Sequence, residues 1–353
     1  IVNKAAKDRR LTGGQMLFLK KHAFWAAALL ALCACSKKGD GAYIQTMFIM
    51  NVPAHVKVFT ADQSDGKEVA DAVFKEWKRI SDEFSFGEPY TYTSYVNKKA
   101  YGEWIRIDDE FLKLLTLSMD YYNLTGGAFD ITFAPLWPVW KEAAASKKMP
   151  SKAEITAALS SMGSEFVQID REKKMVRFTK PVKINMGGIL RGYCLERGRE
   201  IVKKFAEHKF PVELRLGGYM LAYGKREWCY DVPDPFHEGR ILGRFRFKEG
   251  VVMSSSGRDH FVQIEGKLYS HILDLKPGYP IPDFSNLIVF FPSIKENEYI
   301  PSAVLAVMGR AKAFALLGRL KGTAALWIDG SGKSELFINE RSKASWEKEK
   351  GLF

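Results

Sequence analysis

Three pairs of adjacent glycines give the first chemical signal in the sequence. They lie at 126–127, 187–188 and 217–218, each beside a predicted strand end or helix start. Glycine lets a backbone adopt positive φ or approach a ligand closely, and a glycine turn before a helix presents N–H groups to a phosphate. Tight turns alone are the other interpretation, because the sequence has neither a P-loop nor a G-x-G-x-x-G motif. Phosphate binding is therefore a hypothesis at this point.

The elements around these glycines predict an α+β fold. A capping-box spacing at Asp65–Glu68 opens one helix, Asp108 opens a second, and Ser151 with Glu154 opens a third. The predicted helices are 65–84, 108–125, 151–163, 190–207 and 299–318. The predicted strands are a hairpin at 166–170 and 175–179, then 211–216, 241–247, 261–264, 286–291, 324–328 and 334–338. This order favours a single domain with a mainly antiparallel sheet and flanking helices.

The amino end has the pattern of an export signal. Two lysines at 20–21 precede an uncharged run at 23–35, which is shorter than the roughly 20 residues of a membrane-spanning helix but typical of a secretory h-region. Leu32-Cys33-Ala34-Cys35 resembles a bacterial lipoprotein cleavage box, so Cys35 is the predicted lipidated residue. A plain signal peptide and a buried apolar helix are the alternatives. The resemblance implies a lipid-anchored protein on the periplasmic face of a bacterial membrane.

These boundaries predict the domain plan. Residues 1–34 are expected to be upstream sequence and signal peptide, 35–46 a lipidated tether, 47–340 the folded domain, and 341–353 a charged tail. Removing 1–34 takes away six basic residues and one acidic residue, so the formal charge falls from +12 to +7. The remaining positive charge is scattered and lacks interleaved aromatic residues, which excludes nucleic acid as the expected partner. Cys194 and Cys229 remain, and whether they pair stays open.

Several sequence blocks resemble the ApbE family of FAD:protein FMN transferases. The specific block is Thr125–Thr132, TGGAFDIT, followed by Pro135-Leu136-Trp137. Further blocks follow in the order of the family: GGILRGY at 187–193, LRLGG at 214–218, SG at 256–257, YSHILD at 269–274 and GYP at 278–280. The resemblance spans roughly residues 47–330.

This resemblance implies an enzyme that binds FAD as substrate together with Mg²⁺. It implies transfer of FMN from FAD to a threonine or serine hydroxyl of an exported redox protein, with release of AMP. His271 and Asp130 are the implied catalytic residues, since a neutral imidazole accepts a hydroxyl proton near neutral pH. The implied flavin-nucleotide contacts are Met50, Ala128, Phe129, Asp130, Asn185, Arg191, His271 and Ile272.

The sequence also departs from the family pattern, above all at the metal. Asn185 stands where an acidic residue is usual, Tyr219 replaces the aspartate of G-G-D, and Arg191 replaces a lysine. The late A-D-x-x-x-T motif has no obvious counterpart: an ungapped alignment reaches Tyr299 and Ala303, and a one-residue shift reaches Glu298 and Ser302. The shifted register puts a carboxylate and a hydroxyl at i, i+4 on one helical face, with Gly188 as the third predicted metal residue.

Two functions therefore stay open from the sequence. One is an active flavin transferase with an altered metal site. The other is a non-catalytic lipoprotein of the same fold that binds flavin or a partner protein and has lost the metal site. Loss of the acidic residues favours the second, whereas retention of Asp130, His271 and a cation at 191 favours the first.

Overall fold

The computed structural model describes residues 41–349, apart from 206–209, 259–260 and 296–297. The predicted signal peptide and Cys35 lie outside the described residues. The strands are β1 (Tyr43–Ile49), β2 (Val52–Val58), β3 (Ile105–Arg106), β4 (Val167–Asp170), β5 (Met175–Phe178), β6 (Val212–Leu216), β7 (Tyr219–Tyr223), β8 (Trp228–Pro233), β9 (Ile241–Phe247), β10 (Gly250–Ser256), β11 (Phe261–Ile264), β12 (Lys267–Ser270), β13 (Leu273–Asp274), β14 (Tyr279–Pro280), β15 (Phe284–Phe291), β16 (Ala324–Asp329), β17 (Ser334–Ile338) and β18 (Ala344–Lys348).

The helices are α1 (Gln63–Phe84), α2 (Tyr92–Lys99), α3 (Asp109–Leu124), α4 (Leu136–Ser146), α5 (Lys152–Ser160), α6 (Gly187–Phe205), α7 (Ser302–Met308) and α8 (Arg310–Arg319). One large sheet has the order β1-β2-β6-β7-β10-β15-β16-β17, and every neighbouring pair in it is antiparallel. The smaller sheets are β18-β9-β8, β3-β5-β4, β11-β12 and β13-β14. The predicted α+β class with mainly antiparallel sheet is confirmed.

The large sheet is covered on both faces. One face packs with α1, α3 and α6 in the main apolar core, which includes Trp77, Phe111 and Leu195. The other face packs against the β18-β9-β8 sheet through a second cluster that includes Phe245 and Phe290. Every residue of β15 is buried as a result, which explains why its sequence is an almost continuous apolar run.

Side-chain caps fix the starts of four helices, α1, α2, α3 and α5. Asp108 accepts a hydrogen bond from the backbone N–H of Phe111, and Ser151 forms a complete capping box with Glu154, as predicted. The predicted start of α1 at Asp65 is wrong, because Asp62 is the N-cap and accepts from the backbone of Ser64 and Asp65. An aspartate three residues earlier satisfies the same orphan N–H groups, so the helix gains almost one turn.

The segment predicted as one helix at 299–318 is two helices. Gly309 lies between α7 and α8 with a φ of 78°, a value that an L side chain rarely adopts. The chain therefore changes direction at this glycine. The helix begins only at Ser302, which bears on the predicted metal ligands.

Strands at both ends extend beyond the predicted domain limits. β1 begins at Tyr43, within the segment predicted as tether, and pairs along its full length with β2. β18 lies within the segment predicted as tail and pairs with β9. The predicted hairpin is confirmed as the antiparallel pair β4–β5.

Cys194 and Cys229 do not form a disulfide with each other in the structure. Cys194 is fully buried, and burial raises the pKa of its thiol. Among residues 41–349 that are described, no helix is long and apolar enough to cross a membrane.

An ion-pair network joins the three helices of the main layer. The Arg79 guanidinium of α1 donates to Glu76 and Glu83 of the same helix and to Glu110 of α3, at 2.6–3.0 Å. Arg197 of α6 donates to the same Glu76 carboxylate at 3.0 Å. Hydrogen bonds from Arg79, and then from Arg197, hold the pKa of Glu76 below its ordinary value although burial raises it.

We expect Glu76→Gln to lower the free energy of unfolding at neutral pH by about 1–3 kcal/mol, because two guanidinium groups lose a shared charged acceptor. A lowered folded-state pKa adds stability above the ordinary glutamate value, and this stability is lost as the pH falls through the folded value. The difference between variant and wild type should therefore shrink toward zero in acid. Urea unfolding across this pH range measures it.

Asp82→Asn is the matched control on the same helix. Asp82 pairs only with Lys78, and both side chains are more than half exposed. Its loss should cost no more than about 0.5 kcal/mol. Equal effects of the two substitutions would contradict the role assigned to the Glu76 network.

Candidate functional site

A cavity with a volume of about 820 Å³ lies beside the amino end of α6. Four separate segments form its walls: the β1–β2 turn, the end of α1 with the loop after it, the start of α4, and the start of α6. The residues that line it are Phe48, Met50, Asn51, Ser81, Asp82, Ser85, Phe86, Glu88, Pro89, Tyr90, Thr91, Phe133, Trp137, Asn185, Gly187, Gly188, Leu190 and Arg191. Four predicted site residues, Met50, Asn185, Gly188 and Arg191, therefore meet here.

Aromatic side chains surround the cavity mouth. Phe48 is 76% exposed, Tyr90 98% and Trp137 51%, which is unusual for rings of this size. They come from β1, the loop between α1 and α2, and α4. Exposed flat rings around a concave site are suited to stacking on a planar ligand group. Phe48 and Tyr90 were not predicted from the sequence. The segment FGEPY at 86–90 was a usable signal for Tyr90, because it combines aromatic residues with turn-forming ones.

The polar floor of the cavity is the amino end of α6. Gly187 and Gly188 are exposed there, and the Asn185 side-chain oxygen accepts a hydrogen bond from the Gly187 N–H at 2.9 Å. A 19-residue helix carries a partial positive charge at this end. The glycine pair therefore presents backbone to the cavity where an anionic group would be stabilised.

Two contacts fix the chain just before this helix. The Asn97 amide donates to the Ile184 carbonyl at 2.9 Å and accepts from the Ile184 N–H at 2.8 Å. The Asn185 N–H donates to the Ile131 carbonyl at 2.6 Å. Both backbone groups of Ile184 are thus satisfied by one side chain, so the start of α6 is held before any ligand arrives.

Phe129 packs underneath the first turn of α6. A Cβ added at Gly188 would lie 2.8 Å from Phe129 Cε2, so glycine is needed for this close approach. Phe129 is buried and meets Tyr121 edge to face at 5.7 Å. The sequence predicted Phe129 as a flavin contact; in the structure it supports the glycines that line the cavity.

Asp130 has a different position from the one predicted. Its carboxylate is buried and accepts hydrogen bonds from the backbone N–H and the hydroxyl of both Thr132 and Ser164. It is not among the residues that line the cavity. It closes a turn and links residue 132 to residue 164 through hydrogen bonds. A carboxylate with four donors has its acceptor sites occupied within the protein, and the predicted catalytic role of Asp130 stays a prediction.

Arg191 lies one turn into α6 and lines the cavity. Its guanidinium carbon lies 5.7 Å from the centre of the Tyr219 ring. Within the described part of the chain, no hydrogen bond or ion pair reaches this guanidinium, although the residue is partly buried. Gly217 leaves space for it, since a Cβ there would lie 3.3 Å from Arg191 Nη1. A positive charge is therefore available to a ligand at the floor of the cavity.

Met50 and Asn51 form the two-residue turn between β1 and β2. Their φ angles are 52° and 60°, so both are left-handed. Such turns match the twist of the strands but favour Asn and Gly, and the conformation costs Met about 1–2 kcal/mol. Strained backbone of this kind is common at ligand sites. Met50 lines the cavity, and its contact with a cofactor stays a prediction.

The predicted metal ligands do not converge. Glu298 is exposed in a turn that precedes α7, whereas Ser302 is fully buried at the first position of that helix. The prediction that they share one helical face is therefore wrong, since Pro301 ends the non-helical segment between them. The Ser302 hydroxyl lies 2.7 Å from the Ser255 hydroxyl and not toward Glu298. No group of three or more His, Cys, Asp or Glu in the described ranges could hold a metal, so the residues present do not fit Mg²⁺.

Tyr299 takes the place that the unshifted alignment gives to a metal-binding aspartate. It is fully buried, and its carbonyl accepts a hydrogen bond from the Tyr121 hydroxyl at 2.8 Å. A Cβ added at Gly192 would lie 2.5 Å from the Tyr299 hydroxyl. Tyr299 therefore fills the space between α3 and α6 as part of the core.

The remaining predicted residues lie outside the cavity lining. His271 is exposed between β12 and β13, Ile272 is buried in the main core, and Ala128 packs against that core. The segment after His271 packs on α4, since Trp140 donates to the Gly278 carbonyl at 2.8 Å. His271 thus belongs to a segment attached to the helix that carries Trp137.

The protein is an antiparallel α+β domain, and its cavity combines a helix amino end, a cation and exposed aromatic rings. These features are those of a protein that binds an anionic ligand with planar groups. The model of the ApbE family matches residues 50–327, and the chain belongs to this family. A relative named FAD:protein FMN transferase from Klebsiella pneumoniae is 22% identical over 288 residues, covering 81% of this chain and 89% of its own length. Another of that name, from Haemophilus influenzae, is 25% identical over 312 residues, covering 81% and 86%.

Solved structures agree. The ApbE protein from Thermotoga maritima is similar with a TM-score of 0.75 and 25% identity, covering 85% of this chain and 97% of its own. The apo form of the flavinyl transferase ApbE from Pseudomonas stutzeri has a TM-score of 0.67 at 19% identity, with coverage of 86% and 96%. At that identity the second comparison establishes the shared fold alone.

We expect Gly188→Ala to destabilise the protein by about 1–3 kcal/mol, because the new methyl group overlaps the buried Phe129 ring. Gly318→Ala in α8 is the control, since its nearest neighbour would be Phe337 Cζ at 4.0 Å. That change should stabilise by up to about 1 kcal/mol through helix propensity. Thermal unfolding of both variants tests this, and a neutral Gly188→Ala would show that the glycine does not serve the packing.

Proposed function

We propose that this chain is an FAD:protein FMN transferase. The observation that carries the proposal is the cavity, in which the amino end of α6 and Arg191 lie below a ring of exposed aromatic side chains. FAD has two planar ring systems joined through a diphosphate, so its parts correspond to the rings at the mouth and the positive floor. Membership of the ApbE family, and relatives named for this activity, support the same substrate.

The reaction is a displacement at phosphorus. The hydroxyl oxygen of an acceptor threonine or serine attacks the phosphorus of the FMN half. The bond from that phosphorus to the bridging oxygen breaks, AMP leaves with that oxygen, and FMN is joined to the acceptor as a phosphoester. The acceptor hydroxyl loses its proton to a base. Negative charge spreads over the phosphoryl oxygens in the transition state, so positioned N–H donors and cations accelerate the step.

Each part of the cavity has a role in this reaction. The Gly188 backbone at the amino end of α6 and the guanidinium of Arg191 bind the diphosphate. Phe48, Tyr90 and Trp137 stack on the ring systems. Met50 and Asn185 also line the site and orient the nucleotide.

His271 is the proposed proton acceptor. A neutral imidazole suits this role near neutral pH, and the residue is exposed on a segment packed against α4. It approaches the acceptor hydroxyl only when the acceptor protein is bound, since it is not part of the cavity lining.

The test is transfer to a carrier domain with the acceptor motif D-G-x-[ST]-G-[AT]. Incubation of the purified chain with FAD and the carrier should give a covalently fluorescent carrier band and release AMP. His271→Gln should lower the rate by about 100-fold or more with FAD affinity unchanged, because only the proton acceptor is lost.

Two controls make this assay specific. A carrier with the acceptor threonine replaced by valine should stay unlabelled. His237→Gln removes a second exposed histidine, which pairs with Asp234, and should leave the rate unchanged. Bound FAD with no labelled carrier and no AMP would contradict the transferase and leave the non-catalytic flavin-binding lipoprotein.

We also propose that the chain is exported and anchored to the periplasmic face of a bacterial membrane through lipidated Cys35. The support is the sequence alone: the uncharged run at 23–35 and the cleavage-box pattern that ends it.

Cys35→Ser should therefore move the protein from the membrane fraction to the soluble fraction and abolish incorporation of labelled fatty acid. Cys229→Ser is the control because this cysteine lies inside the folded domain, in β8. Fractionation of cells that express each variant measures the outcome. Membrane retention and lipid labelling of Cys35→Ser would overturn the anchor.

A further inference from the structure

We infer that this chain binds the diphosphate of its ligand without a divalent cation, because Arg191 and the amino end of α6 supply the positive charge that the sequence resemblance assigns to Mg²⁺. The inference rests on the proposed function, since it concerns the diphosphate of FAD. It starts from the disagreement between the residues at the expected metal position and the needs of Mg²⁺.

The first support is the state of Arg191. The guanidinium is partly buried, lines the cavity, and neither donates a hydrogen bond to the described residues nor forms an ion pair with them. The partly buried guanidinium groups of Arg79, Arg197 and Arg244, by contrast, each pair with a carboxylate. A partly buried charge without a counterion is costly unless a ligand compensates it. A diphosphate at the cavity floor provides that compensation.

The second support is the neutral character of the surrounding groups. Tyr219 lies under the guanidinium, and burial raises the pKa of its phenol, so the ring stays uncharged. Asn185 is an amide whose oxygen already accepts from the Gly187 N–H. A carboxylate at either position would compete with phosphate for Arg191 or for the helix end. Both positions therefore leave the local positive charge intact.

The third support is the way the expected metal position is filled. Tyr299 is a buried core residue, and Ser302 is held by Ser255 and by the Tyr219 hydroxyl. The Ser302 hydroxyl hydrogen-bonds with the hydroxyls of Ser255 and Tyr219, and this cluster contains no carboxylate. Mg²⁺ requires oxygen ligands in near-octahedral geometry, usually with at least one carboxylate. The polar cluster thus supports the sheet and helix and not a cation.

Acidic residues do occur at the cavity rim, where Asp82 and Glu88 belong to the lining. Asp82 is already paired with Lys78 at 2.6 Å. Rim carboxylates that recruited Mg²⁺ together with the phosphates would make ligand binding metal-dependent. The experiment below distinguishes that arrangement from the one inferred.

The test compares FAD and riboflavin binding by the full chain, in excess EDTA and in excess MgCl₂, through the change in flavin fluorescence. FAD affinity should agree within about twofold between the two conditions. Arg191→Ala should weaken FAD binding by about 10- to 100-fold in both, because a charge-assisted contact is lost. Riboflavin has no phosphate, so its affinity should not change. Arg191→Lys should recover part of the loss, since it keeps the charge but not the planar fork.

Arg310→Ala is the matched control, because this arginine is exposed on α8 and pairs with Glu335 away from the cavity. It should leave both affinities unchanged. Circular dichroism of Arg191→Ala separates a lost contact from a lost fold, and intact riboflavin binding gives the same assurance within the site.

Tenfold or greater tightening of FAD binding by Mg²⁺, about 1.4 kcal/mol, would overturn the inference. So would an Arg191→Ala variant with unchanged FAD affinity. The proposed function is judged separately by carrier labelling. Labelled carrier together with Mg²⁺-tightened binding rejects the inference alone, whereas metal-independent FAD binding without labelling rejects the transferase alone. Absence of any FAD binding rejects both.

Discussion

The fixed position of the start of α6 is the constraint on which the rest of the cavity depends. Gly187, Gly188 and Arg191 all belong to its first two turns, so a shift of this helix would move the backbone donors and the cation together. Asn97 holds the preceding Ile184 through two hydrogen bonds, and Ile131 holds Asn185. Preorganised donors contribute more to stabilising developing charge than donors that must reorient. The anchoring contacts therefore act on the chemistry from outside the cavity.

The TGGAFDIT block contributes to this anchoring through Ile131 and supports the same helix start by packing. Thr125 donates to the Tyr121 carbonyl and accepts from the Phe129 N–H, which fixes the turn after α3. Phe129 then supports Gly188, and Asp130 closes the next turn with its buried carboxylate. The block thus contributes packing and hydrogen bonds to the site. Thr125, Phe129 and Asp130 each meet a separate steric or polar requirement there.

Sequence reasoning succeeded where the determining contacts are local. Asp108 and Ser151 predict the starts of their helices because an N-cap acts within three residues. The β4–β5 hairpin is predicted by the alternation of apolar and polar residues on both sides of a short turn. It failed where contacts are distant. Whether Asp130 faces the ligand or Ser164 depends on two segments that meet only in the fold. The prediction that Glu298 and Ser302 share a helical face required a continuous helix between them. Tyr299 is instead buried in the core, and the segment before Ser302 is not helical.

The walls of the cavity differ in how firmly the fold holds them. The α6 wall rests on the main core, whereas the opposite wall is the turn of a hairpin whose outer strand, β1, is the edge of the large sheet. Met50 and Asn51 keep left-handed conformations there, and Phe48 beside them is mostly exposed. Elements with few buried contacts open at lower free energy than core elements. The anionic part of a ligand therefore contacts the rigid wall formed by α6, and its planar part contacts the more adaptable wall formed by the β1–β2 hairpin. The charge of the ligand is thus positioned first, and its rings are accommodated around that position.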